Sequence, residues 1–194
     1  MTTNPKAIFL LFTLSLCTIA TACAQVYQLQ NNATQVTVHG TSTLHDWEEL
    51  AEEVSGTLTL DTSGEKISIK ALKTVIEAES LKSGKGAMDK NTYKALNTDQ
   101  HKTIIFELTK VDGITANGNG SYSVSAKGDM TISGTTKSMD MNFQLKRKTS
   151  VMVVNGETTF KMTQFGIEPP KALMGTIKTG DEITVKYSAE FKQQ

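Results

Sequence analysis

Beyond residue 24 this chain has no cysteine, because Cys17 and Cys23 both fall in its first 24 residues. That excludes a disulfide framework, a thiolate metal site and a cysteine nucleophile from everything downstream. Proline is scarce: there are three in all, and none between Gln25 and Glu168, so nothing there interrupts a β ladder. Neither sign of charge dominates, with 20 Lys+Arg against 20 Asp+Glu. Without a basic stripe carrying interleaved aromatics, nucleic-acid binding lacks its electrostatic footprint. A strongly charged patch for an anionic membrane surface is absent too. Motifs of catalysis are also missing. The sequence holds no G-x-S-x-G elbow, no phosphate-cradling loop (Gly84-Lys85-Gly86 is too short) and no dinucleotide fingerprint, so the expectation is a non-enzyme without a cofactor.

The one long apolar run is Ala7 to Ala20 (AIFLLFTLSLCTIA), too short to span a membrane. Lys6 precedes it and Ala22-Cys23-Ala24 follows as an A-x-A site, the grammar of a signal peptide. Cleavage before Gln25 is expected, leaving a single domain over residues 25–194 in the periplasm or secreted. The alternative is that Cys23 becomes the lipidated first residue of a lipoprotein. Against it, Ala20-Thr21-Ala22 lacks the large aliphatic residue that such a site usually has.

What the remainder does contain is alternation. Val36 and Val38 alternate with Gln35, Thr37 and His39, and Leu58 and Leu60 with Thr57, Thr59 and Asp61. Ile104, Phe106 and Leu108 oppose Glu107 and Thr109. Met139, Met141, Phe143 and Leu145 alternate with polar residues after the Ser133-Gly134 turn. From Ile183 to Phe191 every second residue is apolar. Period two with one polar face marks antiparallel sheets that are wet outside and apolar inside. Asn31-Asn32, Thr62-Ser63-Gly64, Asn117 to Gly120, Asn155-Gly156 and Thr179-Gly180-Asp181 punctuate these runs, with Asn155-Gly156 the clearest hairpin signal. Only Ser83 to Leu96 departs, its Met88, Tyr93 and Leu96 nearer helical spacing, and a short helix over one end of the sheet is predicted. Eight or so strands in one domain point to a barrel or a sandwich, and closure is favoured because the long strands would otherwise leave sticky edges.

Four blocks in order resemble the YceI-like family of bacterial polyisoprenoid-binding proteins. Val38-His39-Gly40-Thr41-Ser42-Thr43-Leu44-His45-Asp46-Trp47 is similar to its first strand with a Ser-x-x-His element. MDKNTYKALNTDQHKTIIFEL is similar to its loop and following strand, with His101-Lys102 where the family often has Tyr-Pro. GDMTISGTTKSMDMNF resembles its Gly-containing hairpin, and KMTQFGIEPPKALMGTIKTGDEITVKYSAEF its closing segment. Together they span about residues 34 to 192. The resemblance implies an all-β, eight-stranded, lipocalin-like antiparallel barrel with a helical segment near residues 83–96, holding a long-chain isoprenoid.

A barrel of that size is either filled by its own side chains or leaves room for one ligand. Its inward candidates are mostly aliphatic and Met residues, and Met suits either a packed core or a flexible guest. The resemblance implies that Trp47, Phe106, Met139 and Met141 line a ligand space, with Phe143, Phe160, Met162 and Tyr187. The expected partner is an isoprenoid lipid or quinone, held for storage or transport; the alternative is a filled, ligand-free barrel acting as an envelope stress or interaction protein. Of the three histidines, His39 shares the polar face and His101 lies near a loop end. His45 is the candidate to hydrogen-bond a ligand head group. A zinc site would need three or four converging ligands, and the spacing offers none, so no metal is expected.

Overall fold

The computed structural model describes residues 24–63 and 66–194. The expected leader with Cys17 and Cys23, and Gly64 of the Thr62–Gly64 turn, lie outside the described residues. In chain order the strands are β1 (Gln25–Leu29), β2 (Gln35–Ser42), β3 (Trp47–Ala51), β4 (Val54–Asp61), β5 (Ser68–Glu77) and β6 (Leu81–Lys82). After the helix α1 (Gly86–Leu96) come β7 (Thr103–Gly118), β8 (Ser121–Ile132), β9 (Thr135–Lys148), β10 (Val151–Lys161), β11 (Lys171–Ala172) and β12 (Ile177–Gln193).

Eight of these strands close into an antiparallel ring, in the order β1, β4, β5, β7, β8, β9, β10, β12 and back to β1. Closure rests on β1 against the end of β12, with Tyr27 opposite Gln193 and Leu29 opposite Phe191. The earlier part of β12 pairs instead with β2, from Thr179 opposite Ser42 to Ser188 opposite Gln35. β3 and β6 follow on β2, extending the wall on one side, and α1 lies beside them.

The turns explain why these strands are consecutive neighbours. Asn119-Gly120 (φ 51° and 70°) and Ser133-Gly134 (φ 48° and 74°) both occupy the left-handed region. Two such residues in a row match the twist of the flanking strands. The Asn155-Gly156 hairpin does not exist: β10 runs straight through it, and the chain reverses earlier, between β9 and β10, with Thr149 at φ 49°. Gly156 serves packing instead, since a Cβ there would meet the Tyr187 ring, 2.5 Å from its hydroxyl. Thr179-Gly180-Asp181 is likewise no turn but an irregularity in the β12–β2 register. The predicted helix is present, starting at Gly86 rather than Ser83.

The two ends of the ring are packed differently. Toward the closing pair, Tyr27, Leu58, Leu60, Leu145, Met152 and Phe191 are completely enclosed. A second cluster forms around the 3-10 turn Met162–Phe165, where the Phe160 and Phe165 rings meet edge to face at 5.1 Å. Between these clusters and α1 the interior is hollow.

Candidate functional site

The hollow is a cavity of about 440 Å³, within the range of small-molecule sites. Its wall is almost wholly apolar and draws on strands right round the ring, among them Leu72 (β5), Phe106 (β7), Phe143 (β9), Phe160 (β10) and Val185 (β12). β2 and β3 add Val38 and Trp47, and α1 closes the space with Met88, Thr92, Ala95 and Leu96. Exposed lining residues Leu44, His45, Lys85 and Lys171 mark its rim. A side recess of about 230 Å³ adjoins it, formed by His45 to Glu48 with Ser83, Lys85 and Met88.

The structure places Trp47, Phe106, Met141, Phe143, Phe160, Met162 and Tyr187 in the cavity wall. Met139 has the same inward parity on β9 but does not reach the cavity. The Met162–Phe165 turn packs against β9 there, and Met139 belongs to that cluster instead. Met174 is fully exposed in a turn. His45 stands at the rim, its Nδ1 2.7 Å from the Asp46 carbonyl oxygen. His39 is 3.7 Å from Glu48 on the outer face, and His101 packs against Gly134. Among the described residues, no group of three or more His, Cys, Asp and Glu side chains converges on a metal-sized space.

Two polar groups stand in the wall: that of Tyr187, expected there as an apolar lining residue, and that of Glu49, which the sequence did not single out. The Tyr187 hydroxyl is buried without a hydrogen-bond partner among the described residues. Burial pushes its pKa up to about 12, so it stays a neutral donor. Glu49 is the other: it is 1% exposed, yet it lines the cavity. The Thr92 hydroxyl on α1 donates to its Oε1 at 2.6 Å. Burial raises the Glu49 carboxyl above its usual 4.5, the Thr92 hydrogen bond opposes that, and neighbouring Asp89 adds to it.

Glu49 faces inward because its strand has no freedom to slip. Gly40 sits opposite Trp47, and a Cβ on Gly40 would collide with the indole. The indole N–H also donates to the Thr41 carbonyl at 3.0 Å. Moving β3 by one residue would turn Glu49 out and Leu50 in, but it would expel Trp47 from its slot. Leu50 accordingly stays outside, 41% exposed.

A closed eight-stranded antiparallel barrel, packed at one end and hollow and apolar at the other, is the lipocalin-like class of architecture. The YceI-like domain profile matches residues 27–191, and the chain belongs to that family. Its fold is similar to a polyisoprenoid-binding domain from Saccharophagus degradans at TM-score 0.70 and 13% identity, over 88% of this chain and 99% of that one. It is similar to BcnA of Burkholderia cenocepacia at TM-score 0.65 and 13% identity, covering 84% of this chain and 98% of that one. A YceI protein of Campylobacter jejuni aligns at TM-score 0.55 and 12% identity, over 74% and 82%. No curated protein matches the sequence. No helix among the described residues is long and apolar enough to cross a membrane.

Proposed function

We infer that this chain is an exported lipid-binding protein that holds a long-chain isoprenoid, a polyprenyl chain or an isoprenoid quinone, for storage or transport. One observation carries the reading: the apolar cavity of about 440 Å³ reaches the surface at a rim that includes Leu44, His45, Lys85 and Lys171. A barrel that served only as a packed scaffold would fill this space with side chains, as it does at its other end. Affinity would come from moving hydrocarbon out of water, about 0.8 kcal/mol per buried methylene. An isoprenoid offers enough methylenes to exceed the entropic cost of capture. The Saccharophagus degradans relative, described as a polyisoprenoid-binding domain, supports the same ligand class. The almost wholly hydrocarbon wall among the described residues favours a binding protein over an enzyme.

Solvent extraction and mass spectrometry of protein purified without detergent test this directly. A stoichiometric polyprenyl or quinone species is expected. Its absence, together with no uptake of added quinone, would sink the reading. Placing a lysine at Phe143, whose side chain forms part of the cavity wall, should abolish lipid recovery, because an unpaired buried charge costs several kcal/mol. Full lipid content in a folded Phe143→Lys protein would show that the ligand lies elsewhere.

A further inference from the structure

Glu49 is out of place in a hydrocarbon-binding wall. An acid with no exposed surface to speak of normally has several partners. The described hydrogen bond to its side chain is one, from Thr92 to Oε1. The Gly40–Trp47 contact that fixes the β3 register commits this acid to the cavity rather than to solvent. Around it, α1 brings Thr92 and Asp89, β2 presents Val38 directly opposite, and Lys85 sits at the rim of the same cavity.

We propose that Glu49 selects the head group of the ligand: its carboxyl, oriented by Thr92, hydrogen-bonds an uncharged oxygen, hydroxyl or carbonyl, at the end of an isoprenoid, and disfavours an anionic head. This rests on the isoprenoid reading and narrows it. A carboxyl here accepts from a hydroxyl, and its acid form, which burial favours, also donates to a carbonyl. A phosphate would bring negative charge beside Asp89 into an almost wholly apolar wall, where burying an ion is costly. An apolar chain end would leave the acid's remaining hydrogen-bonding capacity unused, and that capacity is where discrimination arises. Thr92 is a positioning residue for this contact.

The single tryptophan, Trp47, lines the cavity and reports occupancy by fluorescence. Four probes would be titrated into the full protein, refolded to remove lipid. They are geranylgeraniol, geranylgeranylacetone (a ketone), geranylgeranyl phosphate and the matching hydrocarbon without a head. The wild type is expected to bind the alcohol and ketone about tenfold tighter than the other two. Glu49→Met, of similar shape, should bring the alcohol to within about twofold of the hydrocarbon while leaving the hydrocarbon unchanged.

An unchanged alcohol-to-hydrocarbon ratio in the folded variant would overturn the proposal. Wild-type preference for the phosphate would overturn it as well, leaving the isoprenoid reading intact. Failure of all four probes to bind the wild type would bring down the isoprenoid reading itself. Should Glu49→Met not fold, the ketone titrated against pH decides. Its wild-type affinity should fall as pH rises and Glu49 loses its proton, whereas Glu49→Gln, which donates at every pH, should stay flat. Parallel pH curves for the two proteins would overturn the proposal.

Discussion

Tyr187 and Glu49 show two ways in which single side chains depart from an apolar interior. The Tyr187 ring is where period-two alternation on β12 puts it, and its hydroxyl lies against Gly156 without a hydrogen-bond partner among the described residues. An unsatisfied buried donor costs about 1–3 kcal/mol. Tyr187→Phe should therefore stabilise the lipid-free protein by about 1 kcal/mol in urea unfolding, and a loss of that size would mean that the hydroxyl has a partner. Glu49 carries a pH signature. Its folded pKa is raised above 4.5, so the acid form is favoured in the fold, and this contribution is intact below 4.5. It is lost as pH climbs from there through the folded value. Glu49→Gln should thus gain stability relative to wild type as pH increases over that window; a constant difference would remove burial as the cause. Gly40 is the third informative residue. Gly40→Val should cost about 1–3 kcal/mol by overpacking and red-shift Trp47 emission, and an unshifted spectrum would show that the indole is not held there. Inward parity of Phe106, Phe143 and Tyr187 was legible because strong apolar residues alternate with polar ones. Glu49 was not, because Trp47-Glu48-Glu49-Leu50-Ala51 has no apolar period, and its face is fixed by a contact with Gly40.

Among elements, α1 is lightly anchored. None of its residues is fully buried, although one face looks into the cavity. One of its tethers is Tyr93, whose hydroxyl donates toward the Glu79 and Leu81 carbonyls (2.8 and 3.0 Å) and accepts from Lys82. Tyr93→Phe should weaken the tether by about 1 kcal/mol and speed amide exchange over residues 86–96 about fivefold. Equal acceleration in β12 would mean that the helix and barrel open as one unit. The helix was legible from its break in alternation, with its start displaced by the loop before Gly86. β10 was misread because Asn-Gly signals a hairpin only when no neighbour needs the glycine for another purpose. Here the Tyr187 ring needs it, and the chain turns at Thr149. Met139 was misassigned for an element-level reason as well: parity chooses a face, but the Met162–Phe165 turn decides which part of that face stays open.

At the scale of the molecule, one wall supports a packed end and a hollow end. Composition alone could not separate them, since the same aliphatic, Met and Phe residues furnish both; the difference lies in how far across the ring each side chain meets another. A hollow is stability forgone, which a guest restores. Ligand at one hundred times its dissociation constant should add about 2.7 kcal/mol, raising Tm by roughly 5–10 °C for a chain of this size. A melting temperature indifferent to ligand concentration would argue that nothing binds the native barrel. Ring closure itself was foreseeable from long strands that would otherwise leave edges. It joins β1 to β12, the first and last strands in the described chain. The staves of this barrel therefore cannot be hooped until the final one has arrived. Every shorter folding intermediate is an open sheet with bare rims at β1 and β10, a slow high-contact-order route on which self-association competes with closure. Folding yield should consequently fall with concentration far more steeply than the finished barrel's stability would suggest.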